Sequence, residues 1–204
     1  MSFLQELKNR RTIYALGRNV EASNEQIAEV IKEAIRQSPS AFNSQTTRAV
    51  ILFDEQVTNF WNTLVATDLE ATMKEQGVPE EAIAGTKEKL ASFGAAKGTV
   101  LLFEDQDVVK GLQEQFALYA DNFPVWSEQA SGISTVNAWT ALSAELGLGA
   151  NLQHYNPVID ASVAKAFEVP ASWKLRGQLN FGSIEAAAGD KEFMADEDRF
   201  KVFN

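Results

Sequence analysis

The chain has 204 residues, 18 basic and 28 acidic, and its net charge of −10 leaves no continuous basic surface for nucleic acid, though a small anion needs only a local basic cluster. With no cysteine, a disulfide framework, an iron–sulfur cluster and thiol catalysis are excluded, and a reducing, cytoplasmic setting is expected. Hydrophobic residues make up 45%, including thirteen Phe and four Trp, enough for one domain over 1–204 with a large core.

The first distinctive stretch is "NRRTIYALGR" (9–18), which holds Arg10 and Arg11, the only adjacent basic pair. Two guanidinium groups beside the Thr12 hydroxyl suit a phosphate monoester. "SNEQIAEVIKEAIRQS" follows, with Ser23 or Asn24 as N-cap and Ile27, Ile31, Ala34 and Ile35 at helical spacing, ending near Ser38. The polar loop "SPSAFNSQTTR" leads into "AVILFD" (49–54), a run of buried-strand length. From Glu55 to Phe93 the pattern is helical, broken at "GVPEE", where Pro79 begins a second helix.

"TVLLFED" (99–105) reads as a second buried strand. The helical pattern from Asp107 to Leu146 is interrupted at "NFPVW", where Pro124 is expected to end one helix and Ser127 to cap the next. That helix stops at Gly147, a C-cap, and "GLGANLQHYN" follows. "DASVAKAF" is a short helix, and "KLRGQLNFGSI" (174–184) alternates as a third strand. The charged tail carries Phe193, Phe200, Val202 and Phe203, and its aromatics predict packing against something. Strand-like alternation there would point Arg199 and Lys201 the same way. Few strands and many helices make the class α+β.

His154 is the only histidine, and the usual zinc spacings are absent, so no metal site is expected. No nucleophile elbow and no dinucleotide fingerprint occur. His154 itself is read as a packed or capping residue, with a place in a functional site as its other reading.

Taken in order, "RRTIYALGR", "SPSAFNSQ", "GLGANLQHYN", "WKLRGQLNFGS" and "DRFKV" resemble the nitroreductase family over nearly the whole chain. The likeness is narrowest to the branch of the yeast fatty-acid-repression nitroreductases and related bacterial enzymes. It implies a small, mostly antiparallel central sheet flanked by many helices, in an intertwined homodimer with FMN at the interface. It also implies electron transfer from NADH or NADPH through FMN N5 to nitroaromatic or related acceptors, by a ping-pong mechanism. The alternative is a flavin-binding regulatory or stress-response protein with incidental reductase activity.

Carried over by matching motif, Arg10, Arg11 and Thr12 would meet the FMN phosphate, ribityl chain or pyrimidine edge, and Arg199 and Lys201 would complete the phosphate site. Ser38, Ser40, Asn43 and Gln45 would reach the flavin from the partner subunit. Asn151, Leu152 and Gln153 would lie beside the reactive ring face. Tyr119, Phe123 and Trp126 are candidates for the substrate pocket wall, with ordinary core packing as their other reading. Two positions depart from the family pattern: Tyr14 stands where many relatives have Lys or Arg, and Thr46 replaces the Pro that often follows Gln45.

Overall fold

In the computed structural model, which describes residues 2–204, the N-terminal helix α1 (Phe3–Asn9) is capped by Ser2 and leads to a two-residue strand, β1 (Leu16–Gly17). Helix α2 (Asn24–Arg36) starts as its sequence predicts. The Ser23 hydroxyl accepts the Gln26 N–H, the Gln26 side chain accepts the Ser23 N–H, and Ile27 and Ile31 are buried. A 3-10 turn (Ala41–Asn43) precedes strand β2 (Thr47–Phe53). Helix α3 (Glu55–Asn59) passes through a π-helical turn (Phe60–Val65) into α4 (Ala66–Glu75), and α5 (Glu80–Gly94) starts directly after Pro79.

Strand β3 (Gly98–Asp105) leads to α6 (Gln106–Gln115), a 3-10 segment (Ala117–Asn122) and the long helix α7 (Phe123–Leu146). Then come β4 (Gly149–Gln153), α8 (Asp160–Ala166), β5 (Trp173–Ile184) and a single turn, α9 (Asp196–Arg199). Among the described residues no helix is long and apolar enough to cross a membrane.

Three local expectations are corrected. Pro124 lies in the first turn of α7, so it opens this helix instead of closing the one before, as its missing N–H and fixed φ allow. Ser127 is therefore inside the helix, not at its cap, and its hydroxyl donates to the fully buried Glu104 carboxylate at 2.6 Å. Gly147, by contrast, is the left-handed C-cap expected, with φ 65°. Arg199 closes the α9 turn, where Asp196, Glu197 and Asp198 favour a helix start, so residues 199–201 do not alternate as a strand.

The sheet has five strands, not three, because β1 and β4 join it. Strand β5 is central: β3 pairs with one edge, β4 and β1 with the other, and β2 pairs with β3, all antiparallel. Alternation along β3 divides the core. Leu101 and Phe103 pack with Trp61, Phe93 and Val163 on one face; Val100 and Leu102 pack with Ile27, Ile31 and Leu142 on the other. Helices α3, α5 and α8 thus cover one side, and α2 and α7 the other.

The β3–β5 register breaks once. Leu102 pairs with Gly177 and Phe103 with Leu175, so Arg176 is the extra residue of a bulge. Because of it, Leu175 joins the first core layer while Leu179 and Phe181 belong to the second.

Candidate active site

The segment after α1 is sewn to β4. Thr12 forms a parallel bridge with Ala150, the Ile13 N–H donates to the Ala150 carbonyl at 2.9 Å, and the Asn151 amide donates to the Ile13 carbonyl at 2.8 Å. This fixes the direction of the neighbouring arginines, which diverge. Arg11 donates to the Gly189 carbonyl at 2.7 Å and holds the root of the C-terminal tail. Arg10 turns toward α7, where its guanidinium lies over the Trp139 ring, 4.5 Å from the centroid.

Arg10 and Trp139 share a cavity of about 590 Å³ with Thr12, Leu152, His154, Arg176 and Gly177. The α7 wall adds Glu128, Ser131, Gly132, Thr135 and Val136, and Asn156 closes another side. The chemistry is mixed: apolar surface from Leu152, Val136 and Trp139, hydroxyls from Thr12, Ser131 and Thr135, and two guanidinium groups. Burial first, and the Arg11 charge second, lower the Arg10 pKa from the usual arginine value. A bound anion would relieve both effects. Arg176 forms an ion pair with Glu128 beside the same space.

The floor is rigid for a separate reason. Within the core, the Trp61 indole N–H donates to Asn180 at 2.9 Å, and Asn180 donates to Asn151 at 3.2 Å. Gln153 also donates to Asn151, at 2.9 Å, and Asn151 reaches the Ile13 carbonyl. Asn151 and Asn180 are fully buried, so each unmade bond would carry a full desolvation cost. The network ties the end of β4, and with it Leu152, to the core beneath.

The model of the nitroreductase family matches residues 7–183 of this chain. The nitroreductase CinD of Lactococcus lactis, solved in complexes with nicotinic acid, chloramphenicol and 4-nitrophenol, is 62% identical. In its nicotinic acid complex the alignment spans 100% of both chains with a TM-score of 0.91. HBN1 of Saccharomyces cerevisiae is 35% identical over 205 residues, covering 100% of this chain and 97% of its own. The nitroreductase FRM2 of the same yeast is 31% identical over 195 residues, covering 95% and 93%. This chain belongs to the nitroreductase family.

Among nitroreductase positions carried over by motif, Arg10, Thr12 and Leu152 line the one cavity, with Asn151 and Gln153 in the network below Leu152. Ser38, Ser40 and Gln45 line a separate cleft of about 150 Å³, and Asn43 is exposed on the same loop. That loop is unusual: Phe42, Asn43 and Gln45 all have positive φ. Ser38 is held by the Asn137 amide of α7 at 2.8 Å.

Tyr119, Phe123 and Trp126 gather around Phe42, with ring centroids 6.0, 5.4 and 6.1 Å from it, and none of the three lines the Arg10 cavity of the same chain. Phe123 is buried, Tyr119 is exposed and Trp126 is intermediate. In the tail, Arg199 lies over the Phe200 ring at 5.5 Å, and both Arg199 and Lys201 are exposed. Tyr14, the departure from the family pattern, is also exposed.

Sequence reasoning missed Arg176, Glu128 and Trp139. Arg176 is one of several polar residues in "KLRGQLNFGSI", beside Lys174, Gln178 and Asn180, and neither it nor a tryptophan midway along a helix stands out in the sequence. His154 is corrected as well. It is exposed and lines the cavity instead of packing, because the chain leaves β4 at Gln153 and the next side chain faces the open space beside Gly177.

Proposed function

We propose that this chain is an FMN-dependent oxidoreductase that passes electrons from NADH or NADPH to nitroaromatic or related flat acceptors by a ping-pong mechanism. It would act in the cytoplasm as a homodimer of one nitroreductase-like domain per chain. The observation that carries this reading is the meeting of Arg10, Thr12 and Leu152, from the two segments most characteristic of the family, in one cavity with a stacked guanidinium. Family relatives support the ligand classes. CinD has been solved with 4-nitrophenol, and a nitroreductase of Exiguobacterium sibiricum, related to this chain in fold, with FMN.

The residues present fit FMN. Arg10 is a cation whose lowered pKa an anion would relieve, Thr12 offers a hydroxyl for a polar chain, and Leu152 with Val136 gives apolar surface for a flat ring. When bound, FMN supplies the redox chemistry, accepting hydride from the nicotinamide and delivering electrons to the acceptor. This chain's residues bind and orient. Arg10 and Arg11, with Arg199 and Lys201 of the tail, would hold the phosphate end. Asn151, Leu152 and Gln153 would set the height of the ring, held by the buried amides beneath.

Ser38, Ser40, Asn43 and Gln45 would complete the site from the second subunit, and Tyr119, Phe123 and Trp126 with them would form its aromatic wall. Their separation from the Arg10 cavity within one chain is consistent with that division.

The test is direct. Purified protein is expected to be yellow, to release FMN and not FAD on denaturation, and to oxidise NADH or NADPH steadily when 4-nitrophenol-type acceptors are supplied. Colourless protein that cannot be reconstituted with FMN would overturn the reading. Flavin without turnover would leave a binding protein in its place.

A further inference from the structure

The β5 bulge places a charge to which the family resemblance assigns no role. Arg176 is the residue skipped in the β3–β5 register, and the local turn brings it to the α7 side, where it lines the cavity opposite Ser131 and Thr135. Only one edge of its guanidinium is in use. The Nη2 is ion-paired with Glu128, whereas Nε–H is buried and finds no hydrogen-bond acceptor among the described residues. Nε and Nη2 form the side-on fork that takes both oxygens of a planar carboxylate.

Gly177, the next residue, lines the same cavity and leaves its wall without a side chain there. A Cβ there would come within 3.1 Å of Leu152 Cδ1 and 3.6 Å of His154 Nε2. Glu128 is 43% exposed and engages a single nitrogen, so it is a replaceable partner. The other charges near Arg176 are Arg10 across the cavity and, behind it, Lys174 and Asp160. Burial raises the Asp160 pKa while the charges of Arg176 and Lys174 oppose that rise.

We infer that Arg176 anchors the acceptor, gripping the carboxylate of a flat aromatic acid with its Nε–Nη2 fork while Glu128 swings away. The cavity then prefers an aromatic carboxylate to its neutral amide. This rests on the flavoenzyme reading of the cavity. Glu128 acts as the stand-in anion, which keeps the guanidinium paired between turnovers and sets a threshold that a neutral ligand does not overcome. Arg10 is the weaker candidate for the same task, since its guanidinium is stacked on Trp139 and assigned to the phosphate.

The experiment compares benzoate with benzamide, which share a ring and differ in charge. Each is titrated into the purified protein and followed by flavin absorbance and tryptophan fluorescence, with FMN affinity measured alongside. Arg176→Gln is expected to weaken benzoate about tenfold or more, the loss of a charge-assisted pair, and to leave benzamide and FMN nearly unchanged. Glu128→Gln is expected to tighten benzoate about two- to fivefold by removing the competing carboxylate.

Equal effects on benzoate and benzamide, or unaltered benzoate binding in both variants, would overturn the anchor. A loss of FMN affinity instead would assign Arg176 to the cofactor. Should Arg176→Gln fail to fold, Glu128→Gln decides by its opposite sign. If the protein holds no flavin, the flavoenzyme reading fails, and the fluorescence titration still decides the anchor.

Discussion

The Arg10 guanidinium lies over the Trp139 indole, 4.5 Å from the ring centroid, joining the end of α1 to the middle of α7. A carboxylate partner would have neutralised this cation. An aromatic face orients it and leaves its charge available to an incoming anion.

Trp139→Leu should therefore weaken FMN about two- to fivefold, matching about 0.5–1 kcal/mol for such a contact, while riboflavin affinity changes less. Fluorescence quenching of each flavin on binding measures both. Equal losses for the two ligands would mean that Trp139 acts on the ring or on packing.

Replacing the cations themselves should cost more. If Arg10 and Lys201 both hold the phosphate, Arg10→Ala and Lys201→Ala should each lower FMN affinity about tenfold to a hundredfold, with riboflavin nearly unaffected. Circular dichroism controls for folding. If Lys201→Ala binds FMN like the parent, the tail has no part in the phosphate site.

The tail also bears on assembly. Phe193, Val202 and Phe203 are 73%, 81% and 90% exposed, and Arg11 pins the tail's root at Gly189 beside the cavity segment. Light scattering is expected to give twice the mass of one chain, and removal of residues 190–204 to shift the protein toward monomer. Obligate interfaces of this kind bury more than about 2,000 Å². A truncated chain that remains fully dimeric would place the interface elsewhere.

Acid sensitivity should have a traceable source at Asp54. Lys97 donates to both of its carboxylate oxygens, at 2.8 and 3.0 Å, and Asn24 donates at 3.0 Å. Hydrogen bonds from Lys97 first and Asn24 second hold the carboxyl below its usual range. A lowered folded-state pKa gives stability that is present above the unfolded value and lost as pH falls through the folded one. Asp54→Asn, which tolerates the positive φ at this position, should lower Tm near neutrality, and the two curves should converge below about pH 4. Curves that stay parallel well below pH 4 would assign the acid response to other groups.

Asn151 tests the floor of the cavity. Asn151→Ala leaves the Ile13 carbonyl, the Asn180 amide and the Gln153 amide without their partner, and a loss of about 3 kcal/mol or more is expected, about 6–12 °C in Tm. Thermal unfolding checks it; a change under 2 °C, about 1 kcal/mol or less, would show that the network relaxes around the gap.

By itself the sequence determined the elements whose signals are local. The Ser23 capping box, the Gly147 left-handed cap, the apolar runs of β2, β3 and β5, and the family motifs are each written in neighbouring residues. Tertiary structure decided what depends on partners distant in the chain. β4 contains Asn151 and Gln153, polar residues satisfied by Asn180, Ile13 and each other, so its strand character is invisible to hydrophobic periodicity. Pro124 could end a helix or begin one, and burial of the first turn of α7 against β3 chose the second. The arginine pair announced a basic site, but the Thr12 bridge to Ala150 and the hydrogen bonds between Ile13 and β4 sent Arg10 into the cavity and Arg11 to the tail. The Arg176 bulge follows from strand register, a relation between two chain segments that neither one's composition encodes.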